Sequence, residues 1–365
     1  MIYMDHAATT PLCEAARQTI IEHFDTFGNP SSSHEFGGKS RMLIEGARER
    51  IAKCINADPS EIYFTSGGSE ANTLALNKRN YSASSKFEHH SVVSDWPKIS
   101  ITKDGFIKVH KLNNMLSEWW ERPFDMMSCM YVNNEIGTIQ PVKELASVAH
   151  KYGMSFHTDA VQAMPYLHID VKDIGCDMLS ASAHKFGGPK GVGFLYANSR
   201  AKIKPIINGG KQENGIRPGT ENILGILSMA TALEDTVKHM DERNTYIKTL
   251  RDSLLDKLLK IDGSHLNGSL ENRTPGNINI KFDGVSGSKL VALCSLYGVY
   301  ISSGSACNEG IATPSHVLKT IGLSDEEALS SVRITLGHNN TIEDVNIAAH
   351  IIKTLVGRIR ADVEF

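Results

Sequence analysis

Short apolar runs alternate with amphipathic stretches between about residue 62 and residue 207. The apolar runs are typical of buried strands, and the stretches between them have the spacing of amphipathic helices. Along the chain they read EIYFTSG, SEANTLALNK, MMSCMYVNNEIG, PVKELASVAHKYG, MSFHTDA, DMLSASAH and GVGFLYA. This repeated order of strand and helix predicts an α/β fold with a mainly parallel sheet between helices. In such sheets a ligand binds beyond the carboxyl ends of the strands.

A long amphipathic pattern follows the last of these runs and predicts one or two helices that leave the sheet: LSMATALEDTVKHMDERNTYIKTLRDSLLDKLL. The remaining runs NINIKF, KLVALCSLYGVYI, SSVRITLG and DVNIAAHIIKTLVGRI predict a smaller α+β unit. A chain of 365 residues exceeds the size at which one hydrophobic core keeps growing. We therefore expect a large domain over residues 12–240 and a small domain formed by residues 1–11 and 241–365.

Charge and cysteine content narrow the class of protein. The net charge of -3, with both signs mixed along the chain, leaves no basic stripe for nucleic acid and no polybasic patch for a membrane. No apolar run approaches the ~20 residues that span a bilayer, and the first residues lack a signal-peptide pattern. The six cysteines are scattered without CxxC spacing, which indicates thiols. These features predict a cytoplasmic protein of the size of an enzyme.

Two charged residues stand at the ends of predicted strands. Asp159 follows the apolar run in MSFHTDA, and Lys185 follows the run in DMLSASAH. Strand ends meet at one edge of a parallel sheet, so we expect both side chains to face the same crevice. A Schiff-base lysine and an acidic partner for a pyridinium nitrogen are the pair that pyridoxal phosphate (PLP) needs. The alternative is a helix-capping aspartate and a surface lysine.

A candidate phosphate site follows another predicted strand. In YFTSGGSEAN the chain passes through Gly67, Gly68 and Ser69 into a helix, whose first N–H groups and the Ser69 hydroxyl would hold a dianion. The alternative is an ordinary glycine-serine helix start. The segment is not a Walker A loop, because the Lys-Ser/Thr pair is missing.

Two adjacent histidines, His89 and His90, suggest a metal site at first sight. Adjacent side chains diverge in a helix or a strand, and no third ligand has suitable spacing, so the sequence predicts no metal site. A better functional interpretation is an imidazole that stacks on an aromatic cofactor and moves protons. The alternative is a pair of surface histidines.

Cys307 lies in ISSGSACNEGIATPSH, among small residues and with no second cysteine nearby. A buried structural cysteine prefers apolar neighbours. Small residues instead predict a loop that water can reach and that can move. A thiol in such a loop suits nucleophilic chemistry, for which it must ionise to the thiolate.

These segments together resemble a known family. The motifs DHAATTP, FGNPSS, FTSGGSEANTLAL, VNNEIGTIQP, HTDAVQ, SASAHKFGGPKGVGFLY, IRPGTEN and SSGSACNEG are similar to those of the NifS/IscS-type cysteine desulfurases. The resemblance runs in one continuous order from about Tyr3 to Gly337. It implies a fold-type I PLP enzyme of the class V aminotransferase group, with a seven-stranded, mainly parallel sheet in the large domain.

The resemblance also implies roles for individual residues. Lys185 would carry PLP as a Schiff base, Asp159 would pair with the pyridine nitrogen, and His89 would stack on the ring as an acid or base. Arg333 would bind the substrate carboxylate, and Cys307 would be the catalytic cysteine. The other implied contacts reach the phosphate from Gly68, Ser69, Ser182, His184 and the second subunit's Thr220, and the phenolic oxygen side of the ring from Gln162 and Asn134, with Asn134 also near the substrate.

The activity implied by the resemblance is removal of sulfur from L-cysteine, giving L-alanine and a persulfide on Cys307. A homodimer would then pass the sulfur to acceptor proteins of iron–sulfur cluster assembly or of thio-cofactor and tRNA thiolation. A selenocysteine lyase or another class V aminotransferase is the alternative, because one fold supports many chemistries. A non-catalytic sulfur-trafficking scaffold is a third possibility. Cys307 favours sulfur chemistry, and the set of Lys185, Asp159 and His89 favours an enzyme.

Overall fold

The computed structural model describes residues 1–77, 79, 81–92, 96–118, 124–303, 307, 308 and 311–361, and it leaves out the side chains of residues 307, 308, 311 and 312. The strands within these residues are β1 (Ile2–Tyr3), β2 (Ile62–Thr65), β3 (Ser82–Ser85), β4 (Lys98–Ile99), β5 (Met126–Ser128), β6 (Ser155–Asp159), β7 (Met178–Ser182), β8 (Gly193–Ala197), β9 (Ser264–Leu266), β10 (Asn277–Phe282), β11 (Val299–Tyr300), β12 (Cys307–Asn308), β13 (Ile311–Ala312) and β14 (Ser331–Thr335).

The α-helices of the same residues are α1 (Glu14–Glu22), α2 (Glu35–Cys54), α3 (Gly68–Leu76), α4 (Val109–Glu118), α5 (Val142–Lys151), α6 (Val171–Ile174), α7 (Ile223–Lys238), α8 (Met240–Leu258), α9 (Gly287–Leu296), α10 (His316–Thr320), α11 (Asp325–Leu329) and α12 (Ile342–Arg360). Short 3-10 helices cover Pro59–Glu61, Ala183–Lys185 and Gln212–Gly215.

The central sheet has seven strands in the order β2-β8-β7-β6-β5-β3-β4. Strand β8 runs antiparallel to both of its neighbours, and the other strand pairs are parallel. Every residue of β7 and β8 is buried, which explains why their segments read as continuous apolar runs and not as an alternating pattern. The predicted α/β fold with a mainly parallel seven-stranded sheet is confirmed.

The long amphipathic pattern forms two helices that contribute to different apolar clusters. Helix α7 contributes Leu227 and Leu233 to the cluster that surrounds the central sheet. Helix α8 contributes Ile247 and Leu254 to a second cluster, which also contains Met4 from the start of the chain. One helix ends at residue 238 and the next begins at residue 240, where the sequence suggested a boundary. The division into two domains stays a prediction.

The second cluster surrounds a three-stranded antiparallel sheet in the order β14-β10-β9. Strand β1 pairs in parallel with β11, so the first residues of the chain lie against this part of the molecule. The segment predicted as a loop around Cys307 contains a short antiparallel pair, because β12 pairs with β13 and Cys307 lies opposite Ala312. The backbone of Cys307 is therefore in a strand.

The α-helices of the described part of the chain are α1 to α12. None of those helices combines the length and the apolar character that a bilayer crossing requires.

Candidate active site

A cleft of about 320 Å³ lies beyond the carboxyl ends of strands β2, β3, β5, β6 and β7. Its lining residues are Ala7, Ala8, Gly68, Ser69, Asn72, His89, Met130, Asn134, Asp159, Val161, Gln162, Ser182, His184, Lys185 and Arg333. A larger cavity of about 630 Å³ lies between α2 and the 3-10 helix Gln212–Gly215 and contains none of the predicted site residues. The cleft is where the sheet topology predicts a ligand.

The cleft brings together all of the predicted site residues except Thr220 and Cys307. Thr220 lines a separate cavity of about 180 Å³ beside Thr65 and Gly191. Cys307 is placed by its backbone in β12, and its side chain is outside the described part of the structure. The roles assigned to these residues stay predictions.

Lys185 ends the 3-10 helix that follows β7, so its side chain enters the cleft from the sheet edge. Its Nζ donates hydrogen bonds of 2.7 Å to the backbone carbonyls of Ala7 and Ala8. Burial, helped by the nearby Arg333 charge, lowers the pKa of Lys185 to about 8. A lysine with this pKa is deprotonated far more often at neutral pH than a surface lysine, which makes it a better nucleophile.

Asp159 is the last residue of β6 and is almost completely buried. One carboxylate oxygen, Oδ1, accepts from the backbone N–H of Val161 at 2.9 Å, and Oδ2 accepts from the Asn72 side chain at 2.7 Å. Turns follow the strand, so Asp159 is not the N-cap of a helix. The carboxylate is fixed in orientation at the cleft wall, 26 residues before Lys185 in the sequence.

Two glycines shape the start of α3, where the sequence predicts the phosphate site. Gly67 has a φ of 150°, a conformation that residues with a Cβ rarely adopt. A Cβ on Gly68 would lie 2.6 Å from Cγ2 of Val161, so only glycine fits there without a shift. The helix therefore presents its first N–H groups to the cleft, beside the hydroxyls of Ser69 and Ser182.

His184 lines the same cleft, and its Nδ1 is 3.1 Å from the Thr9 hydroxyl. Burial, together with the Lys185 and Lys190 charges, lowers the pKa of His184 to about 4. The imidazole is therefore neutral at physiological pH and retains one N–H donor.

His89 also lines the cleft, and its Nδ1 lies 2.7 Å from the hydroxyl of Ser91 and accepts from the Ser91 backbone N–H at 3.2 Å. Burial lowers the pKa of His89, which favours the neutral imidazole. The ring of the neighbouring His90 lies beside His316, with the two ring centroids 4.9 Å apart. The two adjacent histidines thus have different surroundings.

Arg333 extends from β14, so the three-stranded sheet contributes a cation to a cleft built mainly on the central sheet. It donates to the backbone carbonyl of Asn134 at 3.0 Å and to Oδ1 of Asp5 at 2.8 Å. Its Nε is buried and has no partner among the described residues. Gln162 donates from Nε2 to the carbonyl of Ala7 at 2.8 Å.

Sequence reasoning missed two residues of this arrangement, Asn72 and Asp5. Both lie in quoted motifs, FTSGGSEANTLAL and DHAATTP, but nothing local distinguishes them. Their partners are 87 and 328 positions away in the chain. Membership of a motif was the only available signal.

Comparison with known proteins identifies the family of this chain. The family model described as aminotransferase class-V matches residues 2–347. The chain therefore belongs to the class-V aminotransferase family.

Its relatives within that family are more specific. A curated cysteine desulfurase IscS from Dictyoglomus turgidum is 40% identical over 98% of this chain and 95% of its own length. A solved NifS-like protein from Rickettsia africae is 31% identical, with a TM-score of 0.89 and full coverage of both chains. A protein named SspA, solved in complex with cysteine, is 33% identical over 93% of this chain and all of its own, with a TM-score of 0.78. The predicted membership of the cysteine desulfurases is confirmed.

Proposed function

We propose that this chain is a PLP-dependent cysteine desulfurase that moves sulfur from L-cysteine to Cys307 and releases L-alanine. The observation that carries the proposal is the cleft in which Lys185, with a pKa of about 8, lies with the buried Asp159 and the start of α3. The membership of the chain among the cysteine desulfurases supports the same activity.

The cleft residues fit PLP at each of its three binding groups. Lys185 supplies an amine for the aldehyde carbon, and Asp159 supplies a carboxylate for the protonated ring nitrogen. The backbone N–H groups at the start of α3, with Ser69, Ser182 and His184, supply donors for the phosphate. The volume of about 320 Å³ lies within the usual range of small-molecule sites.

When bound, PLP supplies an electron sink for the electron pair released at the substrate Cα. Asp159 keeps a proton on the ring nitrogen, and its two hydrogen bonds hold it in position for that task. Lys185 takes the proton from the substrate Cα, for which its lowered pKa leaves enough free amine.

Arg333 binds the substrate carboxylate in this proposal. Its buried Nε is a donor that lacks a partner in the described structure, and a planar guanidinium binds a carboxylate through two parallel bonds. Asp5 and the carbonyl of Asn134 keep the guanidinium in place before substrate arrives.

The transfer of sulfur balances without an oxidant. The Cys307 thiolate attacks the sulfur of the substrate, so an S–S bond forms while the substrate C–S bond breaks. The carbon that loses sulfur keeps the electron pair and gains a proton, and the proton that Lys185 removed returns to Cα, which gives alanine. Cys307 then holds a persulfide that sulfur-acceptor proteins remove. Free thiols at Cys13, Cys54, Cys129, Cys176 and Cys294 support a reducing compartment such as the cytoplasm.

A homodimer is part of the proposal because Thr220 lies in a different cavity from the other phosphate-site residues. Exposed apolar side chains near the start of the chain, including Phe24, Phe27 and Met42, support burial by a second copy. Mixing Lys185→Ala and Thr220→Ala subunits should restore activity, since each heterodimer has one site without either change. If light scattering shows a monomer and that monomer is fully active, this arrangement is wrong.

The substitution Cys307→Ser tests the function directly. A serine hydroxyl is not ionised at neutral pH, so the variant should bind PLP and cysteine but form neither persulfide nor alanine. Mass spectrometry after brief exposure to cysteine should find one added sulfur on the Cys307 peptide of the wild type. Cys294→Ser is a matched control, because Cys294 is buried outside the cleft.

The same assay separates the alternatives. An aminotransferase would move the amino group of its substrate to a keto acid at the same rate with serine at position 307, and it would release no alanine from cysteine. A selenocysteine lyase would act on selenocysteine and leave cysteine unchanged. A scaffold would bind no PLP. Any of these results contradicts the proposal.

A further inference from the structure

Asn72 is a buried side chain of α3 whose bond to Asp159 holds that carboxylate, but whose second bond, to Ser91, has no role in the proposed chemistry. Only 1% of its surface is exposed. Its Nδ2 donates to Oδ2 of Asp159 at 2.7 Å and to the Ser91 hydroxyl at 2.8 Å. Its Oδ1 is buried and has no hydrogen-bond partner among the described residues. One amide nitrogen therefore connects the carboxylate at one side of the cleft to the segment that carries His89.

The orientation of the Asn72 amide follows from its neighbours. The reverse orientation would place Oδ1 against the Asp159 carboxylate, where two acceptors repel each other. Both hydrogens of Nδ2 are consequently used, one toward Asp159 and one toward Ser91. The unpaired Oδ1 is destabilising, since a buried acceptor without a partner loses its hydration. The orientation of the amide therefore satisfies its two donors and leaves its acceptor without a partner.

Ser91 transmits this orientation to His89. Its Oγ accepts from Asn72, which directs its own hydrogen toward Nδ1 of His89, 2.7 Å away. The backbone N–H of Ser91 donates to the same Nδ1 at 3.2 Å. Since Nδ1 accepts from two donors, the neutral ring carries its proton on Nε2.

We propose that Asn72 is a positioning residue that, through Ser91, sets the tautomer of His89 while it orients the Asp159 carboxylate. The inference rests on the proposed function, because Asp159 and His89 matter together only if both face PLP. It assigns one residue to both sides of the cofactor site. The Nε2–H of His89 is then always the donor offered to the group bound in the cleft.

Among the residues that the structure describes, none other than Ser91 is placed to do this at His89. The charges that act on its pKa are those of Asp159, His90 and Lys185, and the hydrogen bonds found for its ring in the described structure are those from Ser91. Charges shift the extent of protonation, whereas donors aimed at one nitrogen select between tautomers.

The test uses the PLP-loaded protein with ¹⁵N-labelled histidine, and His89→Gln identifies the His89 signals. The wild type should show an unprotonated Nδ1 and a protonated Nε2. In Ser91→Ala and in Asn72→Ala the Nδ1 signal should move toward the protonated value, because the shorter donor is absent or free to rotate. Ser91→Thr keeps the hydroxyl and should restore the wild-type signals.

Measurement of PLP affinity distinguishes the effect of the bond from Asn72 to Asp159 from that of the bond from Asn72 to Ser91. Asn72→Ala should weaken PLP binding about tenfold, because it removes a hydrogen bond to the Asp159 carboxylate. Ser91→Ala leaves that bond intact and should keep the affinity within about twofold. Asn77→Ala is the matched control, since Asn77 follows the same helix and donates to the carbonyls of Lys204 and Pro205, away from Asp159.

Two outcomes distinguish this inference from the proposed function. If the wild type binds PLP and both variants keep the wild-type His89 signals, the role of Asn72 is wrong and the proposed function stands. If the wild type binds no PLP, the proposed function is wrong whatever the His89 signals show.

Discussion

The Lys185 side of the cleft and a second region use buried polar groups differently. The second region, here called the anchor, is the contact of Ser315 and His316 with Glu135 and Glu88. Lys185 donates to two carbonyls, and Arg333 pairs with Asp5, so opposite charges and dipoles face each other. In the anchor, the Ser315 hydroxyl bonds to Glu135, a carboxyl whose pKa burial raises to about 7.

Glu88 contacts the same segment through its backbone carbonyl, and its carboxyl is also buried with a raised pKa. Burial raises the pKa of Glu88 to about 8, and its backbone carbonyl accepts from His316 at 2.9 Å. The difference shows that charge is paired where chemistry is proposed, whereas Ser315 and His316 lie against two glutamates whose carboxyls accept protons near neutral pH. Changes at the first region should abolish a reaction, and changes at the second should alter stability and its pH dependence.

The largest effect is expected for Lys185→Ala. The variant removes the amine that would bind PLP covalently, so borohydride treatment should attach no pyridoxyl group, while the wild type gains one at Lys185. Folding should survive, because the lost hydrogen bonds are to two carbonyls at the wall of an open cleft. Lys190→Ala is the control, an exposed lysine five residues further on. Covalent labelling of the Lys185→Ala protein at another lysine would contradict the assignment.

An intermediate effect is expected for Glu135→Gln. The raised pKa means that folded Glu135 binds its proton more tightly than the unfolded chain, so the wild type loses stability as the pH rises from about 4.5 to about 7. The variant lacks this loss, which amounts to at most about 3 kcal/mol of unfolding free energy. Urea denaturation across that pH range measures the difference between the two proteins.

The exposed Glu144→Gln is the control for this comparison. Subtracting the variant from the wild type cancels the opposite contribution of His157, whose pKa burial lowers to about 3. Parallel pH profiles for wild type and Glu135→Gln would show that Glu135 does not titrate as described.

The smallest effect is expected for Ser315→Ala. Ser315 caps α10 by accepting from the Leu318 N–H, and it also bonds to Glu135. Loss of a cap typically destabilises by about 1 kcal/mol. Ser324→Ala removes a similar cap from α11 without touching Glu135. The additional loss of unfolding free energy in Ser315→Ala therefore measures the bond between Ser315 and Glu135. Equal losses in the two variants would mean that the bond to Glu135 contributes nothing.

The sequence predicted the placement of Asp159 and Lys185 because both follow buried strands of a mainly parallel sheet, whose ends converge by topology. The antiparallel direction of β8 could not be predicted, since a run of apolar residues does not indicate in which direction the strand runs. Asn72 and Asp5 were missed because their partners are distant in the chain and meet them only after folding. Small residues around Cys307 predicted a loop, whereas hydrogen bonds between backbones place Cys307 in a strand pair.

The backbone of Ser302 is paired with that of Arg333, through hydrogen bonds of 3.0 Å and 2.6 Å in the two directions. This pairing fixes the position of the chain five residues before Cys307. Five residues span at most about 18 Å in any conformation. The Cα of Cys307 therefore lies within that distance of the strand that carries the proposed substrate arginine. A sulfur acceptor of the kind proposed above would have to bring its own thiol close to this strand, so its docking surface would have to fit beside it.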